Sequence, residues 1–164
     1  VISAVDFVCL DTFQNLVPAQ DMIAMSIGDL AQLPPANLVK FAAYLRLEFL
    51  DIEPHELEEY GFPAEVMCSP VQLEQLIAFV RAYHYSTQKY RLVAHCRMGR
   101  SRSAAAALVA HALTGCDFPR YADAHHANHH VVQLAGAALR RVIEIPGRQE
   151  NGEPHEYLPL ALQI

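Results

Sequence analysis

The sequence predicts an α/β fold: a short, mostly parallel central sheet flanked by helices, in a single domain. Three observations carry that expectation. Four short apolar runs, bounded by polar or turn residues, alternate along the chain with stretches of helical periodicity, as expected of buried strands and the helices that cover them. The 164 residues suit one domain, and a hydrophobic fraction of 52% is enough to bury a core and offset the entropy of ordering. No repeat, low-complexity tract or linker composition divides the chain.

Taken in order, the candidate strands are residues 5–10, 22–27, 44–49 and 91–95. Between the third and fourth, Ser69-Pro70-Val71-Gln72 forms a capping box with proline at the first helical position. Leu73, Leu76, Ile77 and Val80 then share one face, so a helix is expected over 70–84. A second helix is expected over 102–114, rich in alanine at 104–107 and stopped by Gly115. Asp117 and Pro119 suggest a short helix after it. A last helix starts at Asn128 as N-cap and turns Val131, Leu134, Ala135, Ala138, Leu139 and Val142 inward. The body of the domain is thus residues 1–145, and 146–164 reads as a tail packed on it.

A net charge of −6 argues against a nucleic-acid partner, which normally demands a basic excess. No apolar stretch is long enough to span a membrane. The first ten residues lack a basic start and contain Asp6, so they do not read as a signal peptide. Cys9, Cys68, Cys96 and Cys116 show neither a metal-site nor a disulfide spacing, which suggests a reducing, cytoplasmic setting.

The stretch that carries chemistry is Leu92-Val93-Ala94-His95-Cys96-Arg97-Met98-Gly99-Arg100-Ser101-Arg102-Ser103. It reads as a buried strand, a tight loop and the start of an alanine-rich helix. Amides of such a loop converge on one point, and the helix dipole adds positive potential there. The result is an anion site formed by residues 97–102, with the sulfur of Cys96 at its base. The same field favours the thiolate, the nucleophilic form. Gly99 admits the anion close to the backbone. Arg102 can fork two donors onto phosphate oxygens, and Ser103 can donate a hydroxyl to the thiolate.

His95-Cys96-x-x-Gly99-x-x-Arg102-Ser103 resembles the signature of the cysteine-dependent protein tyrosine phosphatases. The resemblance implies a dual-specificity-phosphatase-like fold, a phosphocysteine intermediate and no cofactor or metal. Residues 44–51 (YLRLEFLD) resemble the strand that ends in the general acid of the dual-specificity branch. Asp51 would take that role, with Glu53 and His55 as weaker candidates. The stretch 52–67, rich in glutamate, then reads as an insertion forming a lid beside the pocket. Residues 120–133 (RYADAHHANHHVVQ) resemble the family's segment of an arginine, an asparagine and a Gln-Leu helix, which makes Asn128 a cap beside the phosphate loop and Gln133 a further equivalent.

His125, His126, His129 and His130 include i, i+4 pairs, the spacing of two-ligand metal sites, but no third ligand is evident. They read as polar residues near the pocket rim. Basic Arg97 and Arg100 resemble loops of phosphoinositide and phosphatidylglycerophosphate phosphatases. The alternative is that both pair outward with the acidic insertion. A phosphorylated protein, a phospholipid or inositol phosphate, and an inactive phosphate-binding module therefore stand as three readings. The sequence leaves the oligomeric state open.

Overall fold

A computed structural model of the chain describes residues 1–148. The expected tail over 146–164 falls, from 149 onward, outside the described residues. Four strands, β1 (Ile2–Cys9), β2 (Met22–Gly28), β3 (Ala43–Glu48) and β4 (Tyr90–Cys96), form one sheet in the order β1-β4-β2-β3, and every pairing is parallel. Parallel strands need crossovers, and α1 (Leu10–Gln14), α2 (Pro54–Tyr60) and α3 (Pro70–His84) lie in them, whereas α4 (Arg102–Thr114) and α5 (His129–Leu139) follow β4. The strand that carries Cys96 is therefore interior, held by β1 on one side and β2 on the other.

One face of the sheet carries the main core. Val5, Phe7, Ile23, Met25, Leu92 and Ala94 meet Leu73, Leu76 and Val80 of α3, the alanines of α4, and Val131, Val132 and Ala135 of α5. Helix α4 is buried continuously from Arg102 to Ala110. Its alanines explain how it fits there, because a helix enclosed on all sides needs small side chains to approach its neighbours. The other face is thinner. Val8, Met22, Ala24 and Val93 are covered by Phe13 and Leu16 after β1 and by Leu38 and Phe41 before β3, with the Phe13 and Phe41 rings stacked at 5.0 Å.

The capping box at Ser69 forms as the sequence implies, with Gln72 N–H donating to the Ser69 hydroxyl at 3.2 Å. Asn128 caps α5 by accepting from Val131 N–H at 3.0 Å. The short element after Pro119 is a 3₁₀ turn, Tyr121–His126. Other expectations are corrected. β1 starts earlier and stops at Cys9, because Leu10 opens a short helix that periodicity over five residues cannot reveal. Helix α5 ends at Leu139, where Arg140 turns left-handed at φ 52°, so Ala138 and Val142 face solvent and not the core. The stretch 52–67 holds α2, whose first turn closes a second capping box between Glu53 and Glu56, and a small core of Ile52, Val66 and Met67.

Among the described residues, no helix is long and apolar enough to cross a membrane.

Candidate active site

The carboxyl ends of parallel strands are where such sheets gather loops around ligands, and the candidate residues converge there. β4 ends at Cys96, which is 1% exposed. The chain then turns through 97–101 into α4. Gly99 sits at φ +63°, and a Cβ there would come within 2.2 Å of the Cys9 backbone nitrogen. Only glycine meets both demands, positive φ and close approach to a neighbouring strand. A hydrogen bond from Leu10 N–H to the Arg97 carbonyl (3.2 Å) fastens the loop to the same point.

Ser101 is the N-cap of α4, but its side chain makes no capping hydrogen bond. Its hydroxyl instead donates to Asp51 Oδ1 at 2.6 Å. The Ser103 hydroxyl lies 3.1 Å from Cys96 Sγ. The Arg102 side chain is only 4% exposed. Its Nη1 donates to Asp29 Oδ1 at 2.8 Å and to the Phe49 carbonyl at 2.6 Å, while its Nε is buried without a hydrogen-bond partner among the described residues. The guanidinium is thus held by the chain ends after β2 and β3, beside the strand that ends in Cys96.

His95 supports the loop from behind. Its Nε2 lies 2.6 Å from the Ser26 hydroxyl, which also accepts from Arg46 Nη1 at 2.8 Å, and its Nδ1 is buried without a hydrogen-bond partner among the described residues. Burial, and after it the Arg46 guanidinium, pushes the His95 pKa down to about 3. The ring is therefore neutral. It packs on Phe13 at 4.1 Å, so it acts as a strut and not as a phosphate ligand.

Asp51 stands on the opposite wall. Its Oδ1 accepts from Ser101 and from Asn128 Nδ2, the latter at 3.0 Å, which joins the loop, the lid and the start of α5 at one carboxylate. Glu53 is occupied elsewhere: its two carboxylate oxygens accept from His129 N–H (2.7 Å) and His130 N–H (3.0 Å). It therefore anchors the lid to α5. His55 is exposed on α2 and Gln133 on α5, and neither lines the cleft.

A cleft of about 350 Å³ opens over Arg102 and is lined by Asp29, Asp51, Glu56, Arg97 and Met98, with apolar walls from Leu50, Ile52, Tyr60 and Phe62. The expected lid does border the pocket. Arg97 reaches Asp29 Oδ2 at 3.8 Å and not the glutamates of 52–67. Arg100 is exposed and makes no ion pair among the described residues. Asp29, which sequence reasoning did not single out for the cradle, turns out to orient Arg102. Its position one residue after a parallel strand was the available signal.

The histidines have separate partners. The His125 and His126 rings lie 4.3 Å apart, tilted at 48°, whereas His130 Nε2 meets the Cys68 carbonyl at 2.9 Å. Among the described residues, no three His, Cys, Asp or Glu side chains converge as a ligand set for a metal. Compared with protein-family models, with curated proteins and with solved structures, the chain matches none.

Proposed function

We propose that this chain is a phosphate-monoester hydrolase of the cysteine-dependent tyrosine phosphatase type, with a dual-specificity-phosphatase-like fold. The observation that carries the reading is Arg102. A guanidinium buried at the start of α4, with its Nε unpaired among the described residues, leaves a donor unmet at a cost of about 1–3 kcal/mol. A phosphate oxygen would satisfy it, and the fork geometry suits two such oxygens. The reading requires phosphate seated there to lie over the sulfur of Cys96, which ends the strand from which the loop springs.

In that reaction the Cys96 thiolate attacks phosphorus in line, and the phosphorus–oxygen bond to the leaving group breaks. The loop amides and Arg102 hold the three equatorial oxygens as charge spreads over them. Asp51 gives its proton to the departing oxygen. Its Oδ1 is engaged by Ser101 and Asn128, so Oδ2 is the oxygen that exchanges the proton. The phosphocysteine is then attacked by water, which yields its proton to Asp51, and the sulfur leaves as thiolate with the Ser103 hydroxyl beside it at 3.1 Å.

The substrate class best supported is a phosphorylated protein bearing phosphotyrosine. The apolar walls Leu50, Ile52, Tyr60 and Phe62 suit an aryl ring. A second reading, a phospholipid or inositol phosphate, draws on exposed Arg100, which has no ionic partner among the described residues and could hold a further anionic group. The four free cysteines fit a reducing, cytoplasmic compartment.

The test is hydrolysis of a small aryl phosphate in excess chelator, run beside phosphotyrosine peptides and anionic phospholipids. Turnover by the wild type and none by Cys96→Ser is the expected result. Equal rates for the two proteins would remove Cys96 from the reaction. Turnover of lipids alone would exchange the first substrate class for the second.

A further inference from the structure

We propose that Glu56 selects substrates in which a lysine or arginine flanks the phosphotyrosine, so that the cleft takes basic phosphopeptides. The proposal deepens the phosphatase reading and rests on it only for the phosphoester placed at Arg102.

Negative charge is concentrated in the lid. Residues 52–67 hold five glutamates and neither lysine nor arginine, in a chain whose net charge is −6. Glu53, Glu56, Glu58 and Glu59 all belong to α2 or to its N-cap. Of these, Glu56 is the one that lines the cleft. Glu53 is engaged by the amides of His129 and His130, and Glu58 and Glu59 are exposed outside the cleft.

The other charges of the cleft have partners. Asp29 accepts from Arg102 at 2.8 Å and faces Arg97 at 3.8 Å, and Asp51 accepts from Ser101 and Asn128. Glu56 Oε2 accepts from the Glu53 N–H at 2.7 Å, which closes the capping box. No cation pairs with this carboxylate among the described residues. A negative charge therefore faces the cleft without its counterpart.

Aromatic faces stand beside it. Tyr60 lies one turn further along α2, on the same side as Glu56, and both Tyr60 and Phe62 line the cleft. Their side chains are 58% and 45% exposed, whereas Ile52 is buried at 5%. A phosphotyrosine ring against Leu50 and Ile52 leaves the exposed rings to the residue next to it. A guanidinium or ammonium there gains from the ring faces and from the carboxylate together. The buried Arg102 Nε, unpartnered among the described residues, marks the phosphate end of the same cleft. A bound phosphate adds negative charge at that end, which favours a cation beside it and disfavours a carboxylate. On the opposite wall Arg97 already faces Asp29, and Arg100 does not line the cleft.

The experiment measures kcat/KM of the full chain on phosphotyrosine peptides that differ only at the residues immediately before and after the phosphotyrosine: arginine, alanine or glutamate. Binding of the same peptides to Cys96→Ser, read by fluorescence polarisation, reports the preference without chemistry. The wild type should favour the arginine peptide over the glutamate peptide by about tenfold, and Cys96→Ser should bind them in the same order. Glu56→Gln keeps a capping-box acceptor on α2 and should remove most of the preference in both assays, whereas Glu58→Gln should retain it. No preference, a preference for glutamate, or an equal loss in Glu58→Gln would overturn the proposal. Aryl phosphate turnover is read separately. Preferential binding without turnover of any substrate by the wild type removes the phosphatase reading and leaves this one. Turnover without preference does the reverse, and the absence of both binding and turnover ends both.

Discussion

Cys96, Gly99, Arg102 and Ser103 lie on one continuous stretch, whereas Asp51 stands on a loop whose position depends on distant segments. The first region is one run of chain, a strand end, a glycine at φ +63° and a buried helix start, packed tightly on β1 at Cys9. The second is tied down at a few polar points. Ser101 and Asn128 hold Asp51, Glu53 meets the first amides of α5, and His130 meets the Cys68 carbonyl. The difference teaches where each part is vulnerable. Damage to the loop should cost stability and chemistry together, and damage to the lid should cost chemistry at little expense in stability.

The largest effect expected on the lid side is that of Asp51→Asn. It should lower kcat by about 10²–10⁴-fold while leaving thermal stability near wild type. The loss should shrink for substrates with very good leaving groups, which need less protonation. Steady-state kinetics across a series of aryl phosphates reads both features. A uniform loss across that series would mean that Asp51 only shapes the pocket.

On the loop side, Gly99→Ala should cost about 2–4 kcal/mol of stability, since it adds strain at positive φ to a backbone clash with Cys9. Urea unfolding measures this. A variant as stable as the wild type would show that the loop is not pinned to β1.

These expectations also show what the sequence could reveal. The geometry around Cys96 was legible because it is local: strand, glycine, arginine and helix start are neighbours in the chain, so their spacing implies that they meet. The four strands and α3 were legible for the same reason, each being signalled by its own periodicity or cap. Asp29 was hidden because its meeting with Arg102 depends on strand order, which periodicity does not encode. Glu53 looked like a spare acid, and only the fold brings α5 to its oxygens. Helix α1 was missed because five residues are too few to show a period, and Cys9 sits inside an apolar run that reads as strand throughout.

A smaller effect should follow Glu53→Gln. One carboxylate oxygen is lost from the first turn of α5 and an amide group faces its N–H donors. The expected cost is about 0.5–2 kcal/mol in stability, with kcat falling by less than in Asp51→Asn. Equal kcat in Glu53→Gln and the wild type would show that the anchor does not position Asp51.

The last expected effect is a pH signature of the strut behind the loop. His95 is neutral in the fold, with its pKa pushed to about 3 against an ordinary value of 6.5, by burial first and by Arg46 next. Below about 6.5 the unfolded chain takes up a proton that the folded chain refuses. The contribution is therefore fully present above 6.5 and is lost as pH falls toward 3, at no more than ~1.4 kcal/mol per pH unit. Urea unfolding of the wild type and His95→Gln should give a gap that is constant above pH 6.5 and narrows below it. A gap that stays constant into the acid range would mean His95 is protonated in the fold.

The most direct test of the central claim is to trap the covalent intermediate. The protein is mixed with radiolabelled aryl phosphate, quenched in acid within one turnover, and its labelled peptide is mapped. The account predicts label on Cys96, accumulating further in Asp51→Asn with a good leaving group and absent in Cys96→Ser. Turnover by the wild type with no labelled Cys96, or label retained in Cys96→Ser, would contradict it.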